Sequence, residues 1–495
     1  MTDWRVIFGP PGTGKTTTLL QIVEKCLETT PPEKIAYLSF TKKAANEAIT
    51  RAMAKFNLPK DAFPYFRTLH SLCFRQMGIS SSDVFDGKKI LEFGEWLGVE
   101  ITGKINFEEG STYGTKPGDR ALFMYNLSRI RQKELRQQYL EDGDDLPWQF
   151  VDWVARGLDS YKRRHNLIDY TDMLDRFVSS SWKPSLDVVI IDEAQDLSPL
   201  QWQVVSRITD GARDVYVAGD DDQAIYRWAG ADSSHMSGIR GTHSILTQSY
   251  RVPKSIQSVA SRTITRCANR VIKDWIPRND DGSVQRVGKF EQADYSSEDI
   301  LILARNSSYF SDLQSMLKRR GIPYTYRGTP AISPTIMGAI EIYERLRGGA
   351  SVDVDDARKV YSYTSRVAAG YKRLTGVTGP VDMTYLRNSG GLQTEAIWHE
   401  ALDKLPINEK MFILTARRNG EKLRIEPRVR LSTIHGAKGG EADHVILLTD
   451  MAPRTYKEYE KHPDDEYRVW YVAVTRAKRQ LTIVDSKTNS FMNLK

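Results

Sequence analysis

Residues 4–27 read WRVIFGPPGTGKTTTLLQIVEKCL: an apolar run, a glycine-rich octet and a helical pattern in direct succession. The octet GPPGTGKT at 9–16 fits the spacing G-x4-G-K-[ST], and the strand before it and helix after it give the match its meaning. Glycine lets the backbone turn tightly enough for successive N–H groups to point at one anion. The start of the following helix adds the positive end of its dipole. On this reading Gly9, Pro10, Pro11, Gly12, Thr13, Gly14, Lys15, Thr16 and Thr17 cradle the phosphates of a nucleotide. Lys15 reaches the β- and γ-phosphates, and Thr16 offers its hydroxyl to Mg²⁺.

The same strand–turn–helix grammar continues outward. IAYLSF (35–40), LDVVIID (186–192) and DVYVAGD (214–220) read as buried parallel strands. DILILAR (299–305), HVILLTD (444–450) and LTIVD (481–485) form a second series. Two such series in a chain of 495 residues, too long for one core, imply two α/β domains. Residues 86–165, polar and helix-like with a loop-like stretch at 103–119, fit neither series; nor do residues 351–425, mostly helical in pattern. The expected organisation is a first domain from 1–85 and 166–245 interrupted by 86–165, and a second from 246–350 and 426–495 interrupted by the shorter 351–425.

A net charge of +7 is compatible with a polyanionic partner, and equally with a solvated basic surface. Three cysteines in so long a chain fit a reducing cytosol rather than a disulfide framework. The histidines show no metal-ligand spacing, so no zinc site is expected. No apolar run approaches membrane-spanning length and no signal peptide opens the chain, so a cytoplasmic location without membrane attachment is expected.

Chemistry gathers at the strand ends. LDVVIID delivers Asp192 and Glu193 to the carboxyl edge of a parallel sheet, where ligands bind. Asp192 can hold Mg²⁺, and Glu193 can orient and deprotonate the water that attacks a γ-phosphate. Arg251 in LTQSYRVP and Arg476 in YVAVTRAK are candidates for stabilising transition-state charge. The stretch GDDDQAIYRWAG (219–230) sets three acids beside one another, which needs nearby Mg²⁺ and arginines to offset their repulsion. Its Trp228, taken singly, reads as core filling.

Taken in order, these pieces resemble the UvrD/Rep/PcrA group of superfamily 1 DNA helicases. GPPGTGKT looks like motif I, YLSFTKKAANEAITR (37–51) motif Ia and TLHSLC (68–73) motif Ib. IDYTDML (168–174) is similar to the family's D-F-D-D-L-L segment, IDEAQD to motif II, GDDDQAIYRWAGA to motif III and QSYR (248–251) to motif IV. Residues 299–328 look like motif IVa, STIHGAKGGE (432–441) like motif V and EYRVWYVAVTRAK (466–478) like motif VI. The resemblance implies an α/β protein of two RecA-like P-loop NTPase domains, parallel sheets flanked by helices, each with a mainly helical insertion. It implies an ATP- and Mg²⁺-dependent helicase travelling 3′ to 5′ on single-stranded DNA and working at single-strand/duplex junctions, with replication or repair proteins as possible partners. By the same resemblance Gln223 senses the γ-phosphate and attacking water, Tyr250 stacks on adenine, and Glu441 approaches the nucleotide sugar. Phe40, Thr41, His70, Tyr226, Trp228, Thr433 and His435 line the DNA path; Asp169 and Asp172 only brace a helix start.

The chain departs from the pattern in places. Eight residues precede Gly9, so the family's upstream adenine-reading glutamine is not expected. Ala229 follows the tryptophan where arginine is usual, and Gly440 stands where leucine is common. Two rival readings stay open: a single-strand translocase that strips proteins and unwinds weakly, and an ATP-gated DNA-binding or loading module. Glu193, Gln223, Arg251 and Arg476 together speak against the second, since a mere binder needs no hydrolytic apparatus.

Overall fold

The computed structural model describes residues 2–39, 42–103, 116–142, 145–371, 374–423 and 426–495, with only the backbone of 42–44. Alternation within the strands builds its first core. In Val188–Asp192 every residue is buried; Val188 and Ile190 join the apolar cluster on one face of a sheet, Val189 and Ile191 that on the other. The six strands of this sheet are β1 (Asp3–Phe8), β2 (Ile35–Ser39), β3 (Phe66–Thr68), β4 (Val188–Asp192), β5 (Asp214–Gly219) and β6 (Thr242–Ile245). They pair in parallel in the order β3-β2-β4-β5-β1-β6. Their carboxyl ends therefore share one edge, and β1, β4 and β5 bring the phosphate loop, Asp192–Glu193 and Asp220 to it. Helices Lys15–Leu27 and Lys42–Phe56 cover one face through Leu19, Val23, Ala48, Ile49 and Ala52. Leu69–Gln76, Tyr170–Ser179 and Pro199–Thr209 cover the other.

The second sheet repeats the design. Strands β7 (Gln248–Pro253) and β8 (Ile276–Arg278) pair with each other. They precede β9 (Ser283–Val287), β10 (Ile300–Ala304), β11 (Tyr324–Tyr326) and β12 (Thr329–Pro330). After a short antiparallel pair, β13 (Val352–Asp353) and β14 (Pro380–Val381), come β15 (Val429–Thr433), β16 (Ala442–Leu448) and β17 (Ala477–Val484). The sheet order is β12-β11-β15-β10-β16-β17-β9, parallel except between β11 and β12. In β10, Leu301 and Leu303 face helices Lys254–Ile264 and Pro463–Val474, while Ile300 and Ile302 face Phe310–Arg319. The expected α/β class is thus the observed one.

Between the strands of the first sheet, helices Lys88–Leu97, Pro117–Ile130, Leu135–Asp142 and Trp148–His165 gather a separate core around Phe93, Met124, Val151 and Leu158. Most of the loop-like stretch expected at 103–119 lies outside the described residues. Asp169 and Asp172, expected only to brace a helix start, form a capping box on Tyr170–Ser179, and Lys162 and Arg129 balance their charge. A second satellite core collects Tyr361, Leu386, Trp398 and Phe412. It also takes Ile340, Tyr343 and Leu346 from helix Pro334–Arg347, so it begins upstream of residue 351. Among the described residues no helix is long and apolar enough to cross a membrane.

Candidate active site

The phosphate loop closes on itself and on the second lobe. Thr13 Oγ1 donates to Pro10 O at 2.8 Å, and Lys15 Nζ to Gly9 O at 3.0 Å. Gly14, at φ 79°, precedes the Lys15–Leu27 helix without a side-chain cap, so the first N–H groups of that helix remain available to an anion. Across the loop, Ser249 Oγ donates to Pro11 O at 2.7 Å and Tyr250 N to Gly12 O at 2.8 Å. Gly12, at φ 72°, lies so close to β7 that a Cβ there would stand 2.3 Å from Cβ of Arg251. Tyr250, 71% exposed, borders a groove of about 510 Å³ that Thr13, Thr17, Gln21 and Leu246 also line.

The acid pair at the end of β4 has two characters. Asp192 is buried; its carboxylate accepts from Tyr37 Oη at 2.8 Å and from Glu193 N at 2.9 Å. Burial and the neighbouring Glu193 push it up to about 6. Glu193 takes a left-handed backbone conformation, φ 55° and ψ 40°, unusual for a residue with a side chain. Burial alone would raise its pKa, but Lys15, Lys438 and Arg476 hold it down at about 2. Lys15 Nζ stands 4.0 Å from Glu193 Oε1, and Gln195 Nε2 donates to Glu193 Oε2 at 2.5 Å.

Facing this pair are the groups expected from the second lobe. Arg476 is buried, and its Nη2 donates to Gln223 Oε1 at 3.0 Å. Burial and the nearby Arg251 lower it to about 9, so it stays charged at neutral pH. Arg251 pairs with Glu441 at 2.6 Å. Gln223 Nε2 donates to Asp220 Oδ2 at 2.7 Å, which strings first-lobe acid, glutamine and second-lobe arginine together. The structure thus brings Lys15, Asp192, Glu193, Gln223, Arg251, Arg476 and Glu441 to one seam.

The three adjacent acids of this turn are surrounded by cations of the chain itself. Lys273, its side chain 1% exposed, reaches Asp220 at 3.3 Å, Asp221 at 2.5 Å and Asp222 at 3.1 Å. Arg270 binds Asp222 through two nitrogens at 2.7 and 2.6 Å, and Val271 N donates to Asp221 at 2.7 Å. Lys273 and Arg270, from a segment some 50 residues downstream, thus offset the repulsion. That segment was not singled out in the sequence, where only the unbalanced charge of three adjacent acids signals that cations must come from elsewhere. Lys438, three residues after His435, was missed as well. It donates to Asp196 at 2.7 and 2.5 Å and to Gln223 O at 2.9 Å, and lies 4.8 Å over the Tyr226 ring.

Beyond Gln223 the chain turns into an aromatic surface. Tyr226 and Trp228 are half-buried, with His435 tilted against the first and edge-on to the second, each at 6.4 Å. Burial lowers His435 well below the ordinary imidazole range, so it is neutral. His435, 3% exposed, lies beneath the aromatic surface rather than on it, and Thr433, 1% exposed, accepts from Gly436 N through its hydroxyl. His70, lowered to about 4 by burial, packs edge-on against Tyr170, apart from this group. Phe40 and Thr41 lie outside the described residues.

Residues 2–244 match the UvrD/REP helicase N-terminal domain, and residues 403–488 the UvrD-like helicase C-terminal domain. The putative ATP-dependent DNA helicase YjcD of Bacillus subtilis is 25% identical over 382 residues, 73% of this chain and 48% of that protein. The ATP-dependent DNA helicase PcrA of Staphylococcus epidermidis is 21% identical over 369 residues, 65% of this chain and 49% of that protein. The chain spans about half the length of the curated relatives it matches. With both matched domains in order, and Gln223 of the first bonded to Arg476 of the second, the chain belongs to the UvrD/Rep helicase family.

Proposed function

We propose that this chain is an ATP-dependent motor on single-stranded DNA that travels 3′ to 5′ and separates duplexes at single-strand junctions. One observation carries the proposal: Gln223, held between Asp220 of one lobe and Arg476 of the other, lies three residues before Tyr226 in a single short turn. A change in how the two lobes grip a triphosphate is thereby passed to a surface that can grip a base.

In this reading the residues divide the work. Lys15 and the uncapped N–H groups of its helix hold the β- and γ-phosphates. Tyr250 stacks on the base in the groove beside it. Thr16 and Asp192 would hold Mg²⁺, whose charge offsets that of the phosphate oxygens; one hydroxyl and one carboxylate suit a hard cation that keeps most of its water. Glu193, kept ionised by its lysines, takes the proton of the attacking water. Arg476, and Arg251 once it turns from Glu441, stabilise charge on the transferred phosphoryl group. Tyr226 and Trp228 stack on bases regardless of identity, with Thr433 and His435 supporting them from behind, and Phe40, Thr41 and His70 extending the path. The division of lobes and insertions at residues 86, 166, 246 and 426 belongs to the same proposal, with helix Pro334–Arg347 counted into the second insertion, as do work beside replication or repair proteins and a cytoplasmic, DNA-associated location. Travel 3′ to 5′ rests on likeness to the family.

Strand displacement on duplexes bearing a 3′ or a 5′ tail, with ATP hydrolysis followed in parallel, tests this. The proposal expects displacement on the 3′-tailed substrate. Stimulated hydrolysis without displacement would support a stripping translocase instead, and DNA binding without hydrolysis an ATP-gated loader.

A further inference from the structure

Trp228 does not stand alone. The ring of Phe123 lies against its face, centroids 6.0 Å apart and planes 19° from parallel. Phe123 comes from helix Pro117–Ile130 in the first insertion, more than a hundred residues from the turn that carries Trp228. Their meeting is built in. Phe123, Leu127 and Ile130 share one helical face at i, i+4 and i+7. Leu127 and Ile130 press on Gly230 so closely that a Cβ there would stand 2.8 Å from Ile130. Arg131 Nη2 donates to Arg227 O at 2.9 Å. The turn is fixed in turn by Ala229 N and Ala231 N, which both donate to Tyr226 O.

Core filling does not explain the pair. Both rings are only half-buried, and neither belongs to any of the six buried apolar clusters among the described residues. Two nearly parallel flat faces anchored on different parts of the fold can take an unpaired base between them once they part by about 1 Å, since each stacking contact needs about 3.5 Å. We propose that Phe123 and Trp228 form a slot for one unpaired nucleobase, with Phe123 as its second wall. This rests on the reading of Trp228 as a base-stacking residue. It adds a contact from the first insertion, so the insertion shares directly in holding the strand.

The test uses the full chain and oligo-dT carrying a single 2-aminopurine at successive positions, with affinity from fluorescence anisotropy. Phe123→Leu keeps apolar volume and deletes the ring; Phe123→Tyr keeps the ring. Folding of each variant is checked by its melting midpoint. The slot predicts that Phe123→Leu weakens single-strand affinity by about 5- to 150-fold and removes the quenching at one register. Phe123→Tyr should retain both. Unchanged or tighter binding by Phe123→Leu with its quenching intact overturns the slot. If Trp228→Ala abolishes binding in that case, Trp228 grips alone and the motor reading stands. If Trp228→Ala is silent too, slot and base-stacking surface fall together.

Discussion

At Glu193 and Asp192, neighbouring carboxyl groups are driven in opposite directions by what surrounds them. Glu193 sits in a left-handed backbone conformation of the kind that persists only where surrounding structure over-determines it. It is held ionised by Lys15, Lys438 and Arg476 and is therefore ready as a base from mildly acidic pH upward. Asp192, raised to about 6, gains a proton as pH falls through that value and loses its hold on a cation. The sign follows: kcat/KM for ATP should be flat above about pH 6.5 and fall below about 6, and saturating Mg²⁺ should move the break downward by competing with the proton. A break below pH 4 that ignores Mg²⁺ would exclude Asp192 as the ligand. For Arg476, replacement by alanine should lower kcat by about 10³-fold or more while nucleotide affinity changes far less. Equal loss of both would make it a binding residue only.

The proposed coupling between the lobes runs through the turn from Asp220 to Gly230. It leaves the first sheet at β5, yet its Ile225 is buried in the core of the second lobe. Its acids are neutralised by Lys273 and Arg270 from that same lobe, and Lys438 ties its Gln223 backbone to Asp196 at the end of β4. Lys438→Ala should therefore cut the DNA stimulation of ATP hydrolysis by about tenfold or more, since a buried pair is broken across the seam, with smaller change in DNA-free hydrolysis. A uniform loss of both rates would assign Lys438 to chemistry alone. Much of this element was legible in the sequence. The apolar runs of β1, β2, β4, β5 and β10 announce themselves because both faces of each strand are buried. The phosphate loop, acid pair and aromatic pair are contiguous motifs. By contrast β15, VRLST, alternates buried and half-buried residues and hides among loop residues. Lys273, Lys438 and Phe123 escape because their partners lie 50 to more than 200 residues away, and pairing at such distance is set by the fold. The burial of His435 follows from the packing of Tyr226 and Trp228 against it, which no local pattern in the sequence announces.

Over the whole molecule, the two lobes meet along one seam crossed by Ser249–Pro11, Tyr250–Gly12, Arg476–Gln223 and Lys438–Asp196. A strand lying across both lobes would be held by its backbone charge as well as by stacking, in keeping with the net charge of +7. Affinity for oligo-dT should fall by about tenfold or more between 50 and 200 mM salt, linearly in log–log form; a flat response would leave stacking as the sole grip. On the proposed mechanism, nucleotide and strand share one free-energy coupling through Gln223. Oligo-dT affinity measured by anisotropy, without nucleotide and with a non-hydrolysable ATP analogue, tests it directly. The account predicts an affinity difference of about fivefold or more in the unaltered chain, collapsing towards none in Gln223→Ala. Equal affinity in both nucleotide states of the unaltered chain, with the analogue shown to be bound, would contradict it.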